Sequence, residues 1–302
     1  MAAYYVSPNY LRNFVLLLFS LIFYYIGATN IVFYLIGLCV LNYYFAVLIR
    51  HDRRSLRQKK VLLAIVVALN LGGLIYFKYA YFFTGIAANL FAPALLNLAE
   101  TTLSKVILPI GISFYTFQAI SYQIDNYRED LPVPSSLINF ATYLSMFPQL
   151  IAGPIVRYGE VEKRLENRKH TFSYFQAGMF IFIFGLGKKV LLADQFAIVS
   201  DEAFSIPVDQ LTSLHAWVGA ISFTFQIYFD FLGYSEMAIG LGMCLGFRIP
   251  RNFRDPYLSL SITEFWRRWH ITLSRWFRDY LYIPLGGNRR GKFQTVFNLF
   301  AV

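Results

Sequence analysis

The most constraining feature of the sequence is a run of 36 residues without a charge, from Phe14 to Ile49. A single α-helix of that length would measure about 54 Å, well beyond the roughly 30 Å hydrocarbon core of a bilayer. The GATN step at 27–30 is the natural break, leaving a short first segment and a second near 31–49. The run therefore predicts two membrane-embedded helices, and a third span is expected near 61–77.

The composition fits a membrane-embedded chain. Of the 302 residues, 57% are hydrophobic and only 15% are charged, whereas soluble domains carry about 25% charged residues. Aromatic residues reach 19%, which suits the interfaces of a bilayer. These values exclude a disordered chain, a secreted disulfide scaffold and an ordinary cytosolic enzyme. We predict an all-α, polytopic integral membrane protein.

Proline and glycine interrupt later apolar stretches. The stretch 106–124 contains Pro109 and Gly111, and the uncharged run 136–156 contains Pro148 and a Gly-Pro pair at 153–154. In a membrane such interruptions are tolerated only where protein or water covers the freed backbone groups. We therefore expect a multi-helix bundle with broken or re-entrant helices.

The net charge of +10 is concentrated in two blocks. Residues 50–60 carry a net charge of +5 and residues 248–292 a net charge of +7, so the rest of the chain nets −2. Both blocks lie beside apolar stretches, and membrane proteins keep Lys/Arg-rich loops on the cytoplasmic side. We place both blocks in the cytosol and expect membrane lipids, not nucleic acid, as the partners of this charge.

The cysteines and histidines do not form a recognisable metal site. Cys39 and Cys244 lie inside apolar runs, which is typical of buried packing residues. The four histidines are far apart, and none belongs to a metal-binding spacing. We predict no metal site and no permanently bound cofactor.

Two acids occur in the long apolar run 210–247, where an ionised carboxylate is costly. Gln226, Asp230 and Tyr234 recur every four residues and would share one helical face. Such a polar face indicates a pathway or a reaction chamber. The alternative is that Asp230 pairs with a buried Arg or Tyr and locks two helices together.

The segment 261–292 carries the densest signals. A capping box, SITE at 261–264, opens a helix predicted to run to about 283. Trp266, His270, Ser274 and Phe277 would lie along one face of it, placing a histidine between an aromatic wall and a hydroxyl. A histidine with a pKa near neutrality can take a proton from an alcohol, so His270 is the candidate catalytic base. The alternative is a structural histidine.

The helix is followed by a basic loop. Arg289, Arg290 and Lys292 could attract the anionic phosphates of a cytosolic thioester donor. Lipid head groups are an equally good match for these side chains.

Several long segments resemble the membrane-bound O-acyltransferases (MBOAT). They are LPIGISFYTFQAISYQIDNYR (108–128), FPQLIAGPIVRY (147–158), YFDFLGYSEMAIGLGMCLGFRIPRNFRDPY (228–257) and FWRRWHITLSRWFRDYLYIPLGGNRRG (265–291). The bacterial branch that acetylates alginate and other cell-surface polysaccharides is the most similar. The branch that D-alanylates teichoic acids shares the Trp-His helix. The resemblance implies one membrane domain over 1–302, with N-terminal helices and a basic loop in 1–104 and a truncated family core in 105–302.

The family implies an enzyme of the bacterial inner membrane that moves an acetyl group from acetyl-CoA toward polysaccharide hydroxyls, with a periplasmic partner completing the transfer. Its first histidine motif matches Trp269-His270, while its principal catalytic histidine would lie beyond Val302, so the 302-residue chain is expected to be inactive alone. Positions near the family's reaction chamber match Asp230, Tyr234, Arg278 and Asp279. The alternatives are a channel, flippase or scaffold of a polysaccharide export system, and a lipid acyltransferase.

Overall fold

The structure, a computed structural model, describes residues 1–90, 106–289 and 291–302. Every regular element in these ranges is helical, with short 3₁₀ and π turns joining the α-helices. Three stretches, residues 9–50, 56–88 and 172–205, are long and apolar enough to cross a membrane. The predicted all-α membrane fold is confirmed. The described residues divide into two compact units, and the boundary predicted at 104/105 falls outside the described residues.

The first unit comprises Met1–Ile151 and Arg157–Leu165. Its helices in chain order are α1 Ala2–Val6, α2 Arg12–Ala28, α3 Val32–Arg50, α4 Leu56–Leu90, α5 Ile112–Tyr127, α6 Leu137–Ser145, α7 Phe147–Leu150 and α8 Tyr158–Glu166.

The break predicted at residues 27–30 is confirmed. Helix α2 ends at Ala28, and a 3₁₀ turn over Thr29–Ile31 leads into α3. Thr29 adopts a positive φ of 50°, which ends the α-helical hydrogen bonding. The third helix starts five residues earlier than the predicted 61, because Ser55 and Gln58 form a reciprocal capping box of 3.0 and 3.3 Å.

Buried amides join three helices of the first unit. Asn42 on α3 and Asn70 on α4 exchange two side-chain hydrogen bonds of 3.0 Å. Gln123 on α5 donates to the Asn42 carbonyl at 2.6 Å. All three side chains are buried, so these hydrogen bonds fix the register of the helices in an apolar setting.

The proline and glycine interruptions also break helices as predicted. Helix α5 begins only after Gly111, whose φ is 75° and whose Cα approaches the Leu150 carbonyl so closely that no Cβ would fit. Helix α6 ends at Ser145, the short α7 contains Pro148, and residues 151–156 are not helical.

The second unit comprises Ala152–Val156 and Glu166–Val302. Helix α9 (Phe172–Gly187) continues through a π-helical turn (Lys188–Ala193) into α10 (Asp194–Ser205), and α11 (Ser213–Cys244) packs against all three. Glycines lie where α9 and α11 approach each other closely: Gly178 faces Gly240, and Gly185 faces Gly233. Small residues let membrane helices approach in this way. The remaining helices are α12 (Ile262–Arg268), α13 (Ile271–Phe277) and α14 (Lys292–Phe300).

Candidate functional site

The helix predicted over 261–283 is not continuous. Ser261 caps α12 by accepting from the Glu264 amide at 3.1 Å, and Glu264 pairs with Arg268 at 2.6 Å, as the sequence indicates. The helix then stops, because Trp269 is extended and His270 adopts a left-handed backbone with φ 42°. A non-glycine residue in this region is uncommon and marks a position held by its surroundings. A second helix, α13, follows, and a π turn over Arg278–Tyr282 ends the segment.

Hydrogen bonds from an earlier loop, residues 252–254, stabilise this break between the two helices. The Asn252 carbonyl accepts from the Ile271 amide at 2.9 Å, and the Arg254 amide donates to the Arg268 carbonyl at 3.0 Å. The Asn252 side chain accepts from the Thr272 hydroxyl at 2.6 Å. These bonds replace helical hydrogen bonds that the sequence of 261–283 alone would favour, which is why the continuous-helix prediction is wrong.

A third segment reaches the same point. The Ile155 amide donates to the Thr272 hydroxyl at 3.0 Å, and the Ala152 backbone interacts with the side-chain hydroxyl of Tyr234 on α11. The segments 152–155, 231–234, 252–254 and 269–272 therefore converge around the helix break.

His270 sits at the centre of this convergence. Its ring packs edge-on against Phe231, with ring centroids 4.7 Å apart, and the residue is only 8% exposed. It lies between two seven-residue helices that are too short to span a bilayer. Burial lowers the pKa of His270 from 6.5 to about 4, so the imidazole is neutral at physiological pH. Its Nδ1 atom is buried without a hydrogen-bond partner among the described residues.

The predicted arrangement of His270 beside Ser274 on one helical face is wrong. Trp266, Ser274 and Phe277 line an apolar cavity of about 490 Å³ together with Arg278. His270 is not among the described residues that line this cavity. Trp266, Ser274 and Phe277 thus share one cavity, while the left-handed backbone of His270 interrupts the predicted continuous face at that residue.

Trp269 belongs to an aromatic cluster. It stacks on Phe265 with centroids 5.6 Å apart and meets Phe253 edge-on at 5.0 Å. Tyr228 lies 6.1 Å away. This packing anchors the extended residue that precedes His270.

The two acids of the long apolar helix are paired with lysines. Asp230 lies 2.8 Å from Lys189, and Glu236 lies 2.6 Å from Lys188. Lys189 also contacts Asp194 at 2.7 Å. These contacts correspond to the helix-locking alternative for Asp230, with a lysine in place of the expected Arg or Tyr.

The remaining predicted site residues lie near the end of the chain. Arg278 forms a bidentate ion pair with the neighbouring Asp279, in which the two guanidinium–carboxylate distances are 2.6 and 3.1 Å. Arg289 and Lys292 are exposed, which leaves them open to an anionic ligand. Arg290 lies outside the described residues.

Sequence reasoning missed Asn252 and Thr272, which position His270. Both are buried and hydrogen-bonded to each other. They are 20 residues apart in the chain, and neither forms a recognised spacing with His270.

Comparison with known proteins identifies the family to which the chain is similar. The chain matches the membrane-bound O-acyltransferase family over residues 63–302. It is 47% identical to a probable alginate O-acetylase AlgI of Pseudomonas syringae pv. tomato, covering 98% of this chain and 57% of that protein. The Pseudomonas aeruginosa counterpart is 45% identical, with 98% and 56% covered. A peptidoglycan O-acetyltransferase of Helicobacter pylori is 36% identical, with 95% and 59% covered.

The chain therefore spans about three fifths of the length of the curated relatives it matches. The matched residues include all of the second unit and the whole environment of His270. This chain belongs to the membrane-bound O-acyltransferase family.

Proposed function

We propose that the protein serves in transferring an acetyl group from a cytosolic thioester, such as acetyl-CoA, to hydroxyls of a cell-surface polysaccharide such as alginate. The observation that carries the proposal is the similarity over 98% of the chain to proteins named as alginate O-acetylases. The convergence of four chain segments around a buried, neutral histidine supports the same conclusion.

The chemistry is acyl transfer from sulfur to oxygen. An acceptor hydroxyl attacks the thioester carbonyl, the C–S bond breaks, and the hydroxyl proton ends on the departing thiolate after passing through a base. A neutral imidazole with an unpartnered nitrogen can accept this proton or a hydrogen bond from the hydroxyl. We assign that accepting role to His270.

The surroundings of the reaction follow from the charge pattern. The enzyme would lie in the bacterial inner membrane with residues 50–60 and 248–292 in the cytosol. Exposed Arg289 and Lys292, with Arg290 between them, would attract the phosphates of the donor. A periplasmic or extracellular partner protein would complete transfer to the polysaccharide.

The test is transfer of radiolabelled acetyl from acetyl-CoA to alginate oligosaccharides by the purified native gene product in lipid nanodiscs. Radiolabel that is attached to the oligosaccharide and is released by base supports the proposal. Donor binding without transfer to any hydroxyl acceptor, with or without periplasmic extract, would favour the transport or scaffold alternative.

The role of His270 is tested by His270→Ala in the same assay. Loss of a proton acceptor is expected to lower kcat by about 10²- to 10⁴-fold. His215→Ala is the matched control, because His215 is an exposed histidine at the start of α11. A change of less than about threefold in correctly folded His270→Ala would leave His270 a structural residue.

A further inference from the structure

A second cavity in the second unit combines apolar walls with charged groups. It has a volume of about 530 Å³ and lies between α9, α11 and the loop that precedes α12. Phe180 and Phe184 of α9 and Ile239 of α11 contribute apolar walls. The polar side consists of Lys188, Ser235, Glu236 and the loop residues 251–255.

The charged groups of this cavity leave an excess of positive charge. Lys188 is held by both Glu236 carboxylate oxygens at 2.6 and 2.7 Å, so this pair is neutral as a unit. Arg251 and Arg254 also line the cavity, and neither guanidinium is paired with a carboxylate within the described part of the chain. Among the described residues of the lining, Asp255 is the only other acid. Two unpaired guanidinium groups against one carboxylate favour an anionic ligand.

Two buried polar groups at the lining lack partners. Ser235 and Asn252 are each 1% exposed, and the Ser235 Oγ and Asn252 Nδ2 atoms have no hydrogen-bond partner among the described residues. The orientation of the Asn252 amide is fixed, because its Oδ1 accepts from both the amide and the hydroxyl of Thr272. The N–H donors of the Asn252 side chain are therefore the groups that remain available to a ligand. Buried unsatisfied donors are costly, so their presence beside a cavity points to a bound acceptor.

We propose that this cavity binds one anionic membrane phospholipid, with its phosphate between Arg251 and Arg254 and its tails against Phe180 and Phe184. The phosphate oxygens would accept from the guanidinium groups and from the buried Asn252 and Ser235 donors. Basic pockets among membrane helices on the cytoplasmic side are known to take such head groups. The proposal concerns a lipid site and is independent of acyl transfer.

The apolar walls favour a lipid over a free phosphate. Residues 172–205, which contribute Phe180 and Phe184, form one of the candidate membrane spans. An acyl chain can follow that apolar helix into the bilayer, and each buried methylene group adds to binding. Inorganic phosphate would leave those walls empty.

The experiment is native mass spectrometry of the purified full chain, titrated with dioleoylphosphatidylglycerol. We expect one saturable lipid that is retained after annular lipids have been removed. Dioleoylphosphatidylcholine, with the same tails and no net charge, should bind at least about tenfold more weakly. Equal retention of the two lipids, or displacement of phosphatidylglycerol by inorganic phosphate alone, would overturn the proposal.

Variants localise the lipid. Arg251→Gln combined with Arg254→Gln is expected to weaken phosphatidylglycerol binding by about tenfold or more, since two charge-assisted contacts are lost. Asn252→Asp keeps the oxygen that accepts from Thr272 but replaces the free donor with an anionic oxygen, so it should weaken binding similarly. Arg248→Gln is the control, because Arg248 is an exposed arginine of the same loop outside the lining.

Each outcome of this series is informative. Retention of the saturable lipid at wild-type strength in both cavity variants would contradict the assignment. If the double arginine variant does not fold, Asn252→Asp and Ser235→Ala decide the question, because both change single atoms at the buried lining. Weakening in these variants but not in Arg248→Gln supports the site.

Discussion

At the scale of single residues, the candidate site depends on a histidine whose backbone and side chain are both constrained. His270 has a left-handed backbone and a ring buried against Phe231. Sequence reasoning identified the residue by its type and its aromatic neighbours. It could not identify the protonation state, because the low pKa results from burial by segments distant in the chain.

The low pKa makes stability depend on pH. The folded-state pKa of His270 is about 4 and the unfolded value is about 6.5, so the unfolded chain binds a proton first as the pH falls. The stabilising contribution is fully present above pH 6.5 and is lost as the pH falls toward 4. Between these values the loss amounts to about 3 kcal/mol.

His270→Gln, which cannot titrate, should therefore show a smaller loss of stability on acidification than the unaltered protein. The measurement is the free energy of unfolding in detergent at about pH 8 and about pH 4. Identical acid-induced losses in the two proteins would mean that His270 titrates normally in the folded state.

At the scale of elements, predictions from the sequence succeeded where the break is encoded locally. Gly and Pro at 27–30, 109–111 and 148–154 mark real ends of helices. The break at Trp269-His270 carries no such mark, and the local capping and ion-pair spacing there favours a continuous helix. That break depends on hydrogen bonds from Asn252 and Arg254, whose position no local pattern predicts.

The contact between α9 and α11 gives a prediction at the same scale. At Gly240 a Cβ would meet the Gly178 carbonyl at 2.5 Å and the Phe182 amide at 2.6 Å, so Gly240→Ala must push the helices apart. We expect a destabilisation of about 1–3 kcal/mol, as for overpacking of a core. The measurement is thermal unfolding of the purified protein.

Gly187→Ala is the matched control for this substitution. Gly187 is the last residue of α9 and has nothing within 4 Å of its Cβ position, so alanine should be neutral or stabilising by up to about 1 kcal/mol. Equal effects of the two substitutions would show that the close approach of Gly178 to Gly240 does not limit stability.

At the scale of the whole molecule, the charge distribution and the fold serve different purposes. The apolar helices require a bilayer, while we expect the blocks 50–60 and 248–292 to keep the adjoining ends of those helices in the cytosol. Part of the first block is also structural: Ser55 caps α4, and Lys59 pairs with Glu129 at 3.3 Å. Asp230 and Glu236 each pair with a lysine, and the predicted position of Asp230 near a reaction chamber stays a prediction.

The topology can be tested with single introduced cysteines. Both native cysteines are buried, so a membrane-impermeant maleimide should leave the unaltered chain unlabelled in the native state. Asp52→Cys in the first block and Asn288→Cys in the second place thiols at exposed positions. Each should react in inverted inner-membrane vesicles and be protected in intact spheroplasts, because basic loops remain on the cytosolic side.

A cysteine introduced outside both blocks distinguishes the effect of membrane topology on labelling from the general accessibility of loops to the maleimide. Asp209 lies in the loop between α10 and α11 and is exposed, so Asp209→Cys reports on a segment that carries no basic block. If Asp52→Cys reacted in spheroplasts, the block 50–60 would not set the orientation. If Asn288→Cys alone reacted in spheroplasts, the arginines around the helix break would face away from the cytosol. A cytosolic thioester could then not bind to Arg289 and Lys292. The side on which position 288 is labelled therefore tests a physical requirement of the proposed acetyl transfer.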